Sequence, residues 1–352
     1  MIFNPQWVLV KGSLKRVGLL LAKYAGLLAL ARYITRYGVV IVGWHGVSMD
    51  DEHHRFSEYF ISPQTLSRRL AFLQKHFVII SLDEAIRQHT SGRIGRRQVV
   101  LTFDDGLYNF TAAAVPVLKQ YQATATLYVV SSMMHNALAC KMALTDVLKR
   151  SKSEPGAVLR NTERALPFEQ HLQLLKSMSQ PQKEAYLLQF AGEAGVEFQS
   201  QLERRMWNHH TPDELKALTD DGFDVQVHTH SHKTVIDDPE SVYEEASTCR
   251  RLIEEATNKP ATDYCYPSGL WDVAAWEPLR KAGMRSAVTC KLGPNFVSTP
   301  ILALRRYIDN EQMRQLDFEA LVSGLPWLLH VVFNPTHLSK PSVAQREGSP
   351  YF

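Results

Sequence analysis

Cysteine is scarce in this chain: Cys140, Cys249, Cys265 and Cys290 are the only four among 352 residues, and no two form a CxxC pair. Their wide spacing argues against a disulfide framework and against a cysteine zinc site. Free thiols are typical of a reducing compartment, so the composition leans towards the cytoplasm.

The chain also lacks a strong excess of either charge and any long apolar run. The chain has 39 Lys and Arg residues against 36 Asp and Glu residues, a net charge of +3, and no basic run that would indicate nucleic-acid binding. The apolar stretch 17–31 contains Lys23 and is shorter than the roughly 20 residues that span a bilayer. Hydrophobic residues make up 45% of the chain, which is enough for a sizeable core.

The most informative stretch is 99–106, where an apolar β-branched run ends in Asp104, Asp105 and a glycine. Such a run predicts a buried strand, and α/β folds carry their active sites at the carboxyl ends of such strands. Two adjacent carboxylates repel each other, so keeping both there requires a cation or a shared proton. A plain Asp-Gly turn is the alternative interpretation.

Strands and helices alternate along most of the chain. A second apolar run, 39–44, ends at His45, and Ser62 and Ser81 are typical helix caps. From 131 to 205 no strand pattern is present, which indicates a helical insertion over one mouth of the domain. We predict an N-terminal helical segment over 1–37, an α/β domain over 38–130 and 206–325, the insertion over 131–205, and a C-terminal tail over 326–352.

A histidine cluster follows the strand pattern at 222–227. In His228-Thr229-His230-Ser231-His232, the first and last histidines are four residues apart. On a helical turn they would share one face, with His230 on another. Together with Asp105 they would form a His-His-Asp site with open coordination positions, as a catalytic metal requires. A histidine-rich loop without a role is the alternative.

The two motifs together, TFDDG at 102–106 and HTHSH at 228–232, resemble the polysaccharide deacetylases of carbohydrate esterase family 4, the NodB homology domain. The resemblance implies a distorted (β/α) barrel of about seven strands. It also implies that Asp104 is the general base. It assigns a divalent metal, usually zinc, to Asp105, His228 and His232.

The third motif of that family is incomplete here. Residues 265–269, CYPSG, keep the proline and the glycine but lack the arginine and the aromatic residue that the family has. The resemblance gives the backbone N–H of Ser268 the role of oxyanion donor. Arg306 is the candidate to replace the missing arginine as partner of Asp104, and a surface arginine is its alternative interpretation.

Two histidines compete for the role of general acid. His330 fits the late Leu-x-His motif of the family, but it follows the point where the barrel should end. In the circularly permuted exopolysaccharide deacetylases, the acid histidine ends the first strand, in a Tyr-His-x-Val motif. The similar Trp44-His45-Gly46-Val47 favours His45.

The N-terminal segment permits three interpretations. On one helix, six basic residues between 11 and 36 share one broad side, and Val17, Leu27 and Leu28 lie on the other, which is typical of a helix on an anionic membrane surface. The same leucines could instead pack on the barrel. A cleaved signal peptide is the third interpretation, because Ala29-Leu30-Ala31 is similar to a cleavage site.

The resemblance implies an enzyme that removes N-acetyl groups from amino sugars of a bacterial cell-envelope polysaccharide or exopolysaccharide. One alternative is a deacetylase or deformylase of a lipid-linked sugar at the membrane. Another is an inactive sugar-binding module. We expect a protein on the inner membrane, with the cytoplasmic side favoured over the periplasm.

Overall fold

A computed structural model describes residues 12–153, 155–161, 166–236 and 238–333. Its strands are β1 (Val40–Trp44), β2 (Gly46–Val47), β3 (Phe60–Ile61), β4 (Val78–Ile79), β5 (Gln98–Phe103), β6 (Thr126–Val129), β7 (Asp224–Val227), β8 (Asp263–Cys265), β9 (Ser286–Val288) and β10 (Tyr307–Ile308). The helices of the barrel and of the chain ends are α1 (Gly12–Tyr24), α2 (Leu27–Ile34), α3 (Glu52–Arg55), α4 (Pro63–His76), α5 (Leu82–Ser91), α6 (Val115–Gln120), α12 (Pro212–Asp220), α13 (Val242–Thr257), α14 (Trp276–Lys281), α15 (Gln315–Val322) and α16 (Leu325–Phe333). Five further helices lie within residues 131–205.

The main sheet is parallel throughout. Its strands follow the order β10-β1-β5-β6-β7-β8-β9, and β4 pairs with the start of β5. The two ends of the sheet meet, because Val288 of β9 forms a parallel bridge with Leu304, and the Leu304 amide donates to the Ala287 carbonyl at 2.8 Å. Leu304 leads directly into β10, which pairs with β1. The predicted distorted (β/α) barrel of about seven strands is therefore confirmed.

Strands β1 and β5 are buried at every position, as expected for parallel strands that are covered on both faces. Successive residues of β5 alternate between two cores. Val99, Leu101 and Phe103 pack against the outer helices, whereas Val100 packs in the barrel interior with Tyr128. This period of two also directs Thr102 and Asp104 to the interior at the carboxyl end of the strand.

Residues 131–205, predicted as an insertion, are helical in the described part. They contain α7 (Cys140–Arg150), α8 (Pro155–Asn161), α9 (Phe168–Ser177), α10 (Gln180–Glu193) and α11 (Gln199–Glu203). Their apolar side chains form a core of their own, which also takes in Phe56, Phe60 and Leu107 from the barrel. Leu138, near the start of the segment, pairs with Asn208, just after its end. This anchors the insertion beside the carboxyl end of β5, since Leu107 also pairs with His209.

The chain ends differ from the predicted single helix and tail. Gly26, with φ +75°, separates α1 from α2, and their axes differ by 73°. Leu19 and Leu28 are buried against Ala320 of α15, whereas Leu27 is exposed. The predicted leucine face is therefore divided between packing and solvent. Lys11 lies outside the described residues. The predicted tail begins with a helix, α16, and its residues 334–352 also lie outside them.

Candidate active site

The predicted site residues come from several strands that end at one edge of the barrel. His45 follows β1, Asp104 and Asp105 follow β5, and His228 follows β7. Parallel strands bring these ends together. Because side chains alternate along a strand, every second one points to the barrel interior. His45, Asp104 and His228 are all buried there. Arg306 enters the same interior from the start of β10.

Asp104 and Arg306 form a two-pronged ion pair. Nη1 of Arg306 donates to Oδ1 of Asp104 at 2.7 Å, and Nη2 donates to Oδ2 at 2.8 Å. Both side chains are almost fully buried, with relative exposures of 4% for Asp104 and 1% for Arg306. Burial by itself raises the pKa of Asp104, but the Arg306 charge outweighs it with help from His228 and His45, and the net pKa is lowered. Asp104 is therefore held as a carboxylate.

A glycine in β1 makes this pair possible. A side chain at Gly43 would meet Cδ1 of Ile308 at 2.7 Å and Cδ of Arg306 at 3.2 Å. Position 43 faces the barrel interior, because it lies two residues from both Ile41 and His45. Glycine there leaves the space through which the Arg306 side chain reaches Asp104.

Asp105, His228 and His232 converge. Oδ1 of Asp105 lies 3.4 Å from Nε2 of His228 and 3.5 Å from Nε2 of His232. Nδ1 of His228 lies 2.9 Å from the Cys265 carbonyl oxygen. A carbonyl can only accept, so Nδ1 of His228 carries the proton and Nε2 presents a lone pair towards Asp105 when the ring is neutral. This donor set, with its ligand atoms within 4.8 Å of one another, fits a divalent metal.

The predicted helical turn at 228–232 is wrong, although its two histidines do meet. The segment is irregular, with φ of +65° at Thr229 and +59° at His232. His230 points away, with Nδ1 2.9 Å from Oγ of Ser131. Asp105 and Ser268 also have positive φ, so four of the nine such non-glycine residues in the described chain lie at this edge of the sheet. Backbone strain of this kind is concentrated at functional sites.

The two histidines proposed as general acid lie in different places. His45 follows β1 at the strand-end edge that carries Asp104 and Asp105. Burial raises the pKa of Asp105, but His228, His232 and His45 together lower it well below its ordinary value. The His45 ring lies edge to face with Tyr59, with 5.9 Å between the ring centroids. His330 lies in α16, which does not form part of the barrel sheet. Ser268 lies in the short turn Pro267–Gly269 that follows β8 and is half-buried, with φ of +57°.

Cys265 is a site residue that sequence reasoning missed. It stands two residues before Pro267, where the family has its arginine. Nη2 of Arg306 lies 3.2 Å from its Sγ, which in turn lies 3.7 Å from Oδ1 of Asp104. Burial raises the pKa of Cys265 well above its ordinary value, so it stays a thiol. Cys265 thus stands where the resemblance places an arginine, and Arg306, just before β10, forms the ion pair with Asp104. The absence of an arginine at position 265 was the signal.

His209 was also missed. It pairs with Leu107 through the backbone, and both its amide and its Nδ1 lie 2.9 Å from the Ala137 carbonyl. Nδ1 therefore carries the proton. Burial lowers the pKa of His209, and Asp105 and His232 act on it electrostatically. No spacing rule links it to the site, because the whole insertion separates His209 from Asp105 in the sequence and a helix and a strand separate it from His228.

The strand ends of this α/β barrel carry a carboxylate–arginine pair beside a convergent Asp-His-His set. Such an arrangement is typical of hydrolases. The model of the polysaccharide deacetylase family matches residues 91–287. The chain belongs to this family. A search among curated protein sequences finds no match.

Solved structures share the fold. A deacetylase of Streptococcus pyogenes, PplD, in complex with acetate is 16% identical with a TM-score of 0.56, over 82% of this chain and 99% of that one. A de-N-acetylase of Aggregatibacter actinomycetemcomitans is 14% identical with a TM-score of 0.55, over 80% and 99%. IcaB of Ammonifex degensii is 15% identical with a TM-score of 0.52, over 81% and 97%.

Proposed function

We propose that this protein is a metal-dependent deacetylase that removes N-acetyl groups from amino sugars of a cell-envelope polysaccharide or exopolysaccharide. The observation that carries the proposal is the convergence of Asp105, His228 and His232 beside an Asp104 that Arg306 keeps charged. The family and the solved structures support deacetylation as the reaction.

Asp105, His228 and His232 would hold the metal, with zinc as the expected ion. A divalent ion there would polarise the acetyl carbonyl and lower the pKa of a nearby water. The chain prepares this site in advance, because the Cys265 carbonyl fixes the tautomer of His228.

Asp104 is the proposed general base. It would take the proton of the attacking water, a role that requires a carboxylate at neutral pH. Arg306 meets that requirement through its two hydrogen bonds and also fixes the direction of the carboxylate. The Ser268 N–H is the proposed donor to the oxyanion of the tetrahedral intermediate.

His45 is the proposed general acid. Water adds to the acetamide carbon, the C–N bond breaks, and acetate and a free amine are the products. The departing nitrogen needs a proton, and His45 lies at the same strand-end edge as Asp104. Its position at the end of the first strand matches the motif of the circularly permuted relatives.

The direct test is release of acetate from N-acetylglucosamine oligomers by the purified, metal-loaded protein. Mass spectrometry of envelope glycans and glycolipids from cells with and without the protein should show a shift of one acetyl group on its substrate. A metal-loaded protein that releases no acetate from polymer or glycolipid would leave the sugar-binding module as the better description.

A lipid-linked sugar is the second candidate substrate. Trp44, Trp207 and Trp271 are buried, so these side chains do not line an open groove for a long polymer. The insertion also packs around the rim of the site. Acetate or formate release from a polyprenyl-linked amino sugar, with none from oligomers, would favour this substrate.

The Asp104–Arg306 pair supplies a testable prediction. Arg306→Lys keeps a positive charge but loses the two-pronged geometry. We expect kcat to fall by at least about tenfold, because the carboxylate is no longer aimed, with little change in KM. Steady-state kinetics on an N-acetylated oligomer measures both constants.

Arg69→Lys is the matched control. Arg69 forms the corresponding buried pair with Asp309, with Nε 2.9 Å from Oδ2 and Nη2 3.2 Å from Oδ1, but it does not contact Asp104. Both variants should lose about 1–3 kcal/mol of unfolding free energy. Only the Arg306 variant should lose kcat beyond what its stability explains. Equal kcat in the two variants would contradict the positioning role.

A further inference from the structure

Exposed apolar side chains are concentrated near the two ends of the described chain. Fourteen large apolar side chains are exposed in the described residues. Ten of them belong to α1, α2, the residues just after α2, and the end of α16. We name them the terminal patch: Val17, Leu21, Tyr24, Leu27, Leu30, Tyr33, Ile34, Tyr37, Val332 and Phe333. Concentrated apolar exposure of this kind marks an interaction site.

The helix α16 is unusual within this patch. Its residues, LPWLLHVVF, are apolar on almost every side, and yet none of the nine is fully buried: seven are partly buried, and Val332 and Phe333 are exposed. A helix that is hydrophobic all round is found in a protein core or in lipid. It packs against α2, so the two chain ends form one surface.

Positive charge borders the patch. The Arg36 guanidinium lies over the rings of Tyr33 and Tyr37, at 4.1 and 4.9 Å, and Nε of Arg96 lies 3.0 Å from Oη of Tyr37. Arg97 is exposed beside them, and its amide donates to the Arg36 carbonyl. Tyrosines with arginines at the edge of an apolar face are typical of the interface of an anionic bilayer.

Lys23 does not interrupt this arrangement. Its Nζ pairs with Oε2 of Glu319 on α15 at 2.6 Å. The charge that weakened a membrane interpretation of the sequence is therefore compensated from the other end of the chain. In the described residues no single helix is long and apolar enough to cross a membrane, whereas α1 with α2 and α15 with α16 reach that length and composition only as bent pairs.

We infer that the terminal patch is a docking surface for an anionic lipid bilayer, formed jointly by the two chain ends. The occupant is lipid because the exposed apolar side chains are concentrated on two chain ends that pack together, no residue of α16 is fully buried, and the border is basic. This goes beyond the proposed deacetylation and does not depend on it. A second copy of the chain, or the chain's own residues 1–11 and 334–352, are the rival occupants.

The experiment is co-sedimentation of the full-length protein with vesicles of phosphatidylcholine alone or of equal parts phosphatidylcholine and phosphatidylglycerol. We expect binding to the mixed vesicles, weakened by high salt. Leu21→Asp with Leu30→Asp, and Val332→Asp with Phe333→Asp, should each reduce partitioning by at least about tenfold. Arg96→Gln with Arg97→Gln should reduce binding to the anionic vesicles alone, by about tenfold.

Tyr243→Asp is the control, since Tyr243 on α13 is 43% exposed but lies outside the patch. It should bind vesicles as the wild type does. Three results would overturn the inference: wild-type protein that stays in solution with both vesicles, a Val332/Phe333 variant that binds like the wild type, or light scattering that shows a wild-type dimer dissociated by the same variants. Acetate release by these variants is measured separately, so failure of either proposal is seen on its own.

Discussion

His232→Ala is expected to abolish both metal binding and deacetylation. Nε2 of His232 is one of two imidazole nitrogens that face Oδ1 of Asp105, and two ligands cannot hold a divalent ion as three do. The His232 side chain is 37% exposed, so its loss should leave the fold intact. We expect about one metal ion per wild-type chain, almost none in the variant, and a fall in turnover on the order of 10³.

Elemental analysis of the purified proteins measures this directly. As a second readout, added zinc should raise the melting temperature of metal-free wild type but not of the variant, because a ligand stabilises only the state that binds it. His230→Ala is the control: its ring faces Ser131 rather than Asp105. Equal metal content in wild type and His232→Ala would show that the assignment is wrong.

His45→Ala should keep its metal and lose at least about 10²-fold in turnover. The departing amine needs a proton, and His45 lies at the strand-end edge that carries Asp104 and Asp105, whereas His330 lies in α16. Loss of the acid should also remove the fall of rate at alkaline pH, which a variant that is merely less stable would keep. The comparison uses rate–pH profiles of wild type, His45→Ala and His330→Ala at matched metal loading.

His330→Ala should stay near the wild type, because its helix lies outside the barrel sheet. If His330→Ala loses turnover and His45→Ala does not, the general acid belongs to the C-terminal region. The analogy with the permuted deacetylases would then be wrong for this chain.

Strand ends were the part of the site that could be predicted. A run such as 99–103 has to be buried, and the period of two then determines which residue at its end enters the barrel. The partner of Asp104 could only be guessed, since Arg306 is separated from it by about two hundred residues and no local pattern records that distance. The conformation of 228–232 could not be predicted, because the same sequence is compatible with two histidines on one face of a helix and with two histidines that converge in a strained loop.

The terminal helices were misjudged for a related reason. A helical wheel assumes one straight helix, and a single left-handed glycine, Gly26, rotates everything after it. Leu28 and Leu27 therefore have different neighbours, although the wheel places them together. The contribution of α16 could not be anticipated from the N-terminal segment, because it depends on contact between the two ends of the chain.

The part of the terminal patch next to α2 and the active site lie at opposite ends of β5. The end of α2 contacts the start of β5 through Arg36 and Arg97, and Asp104 follows the six residues of that strand, about 20 Å further on. A barrel standing on a bilayer would thus act as a spacer and hold its catalytic groups above the headgroups. This placement would count against the lipid-linked sugar as a substrate, because a sugar joined directly to a lipid would lie below the reach of Asp104. Units further along a polymer chain would come level with it. The first units of an anchored glycan would keep their acetyl groups, and the distance from the anchor would determine where free amines begin.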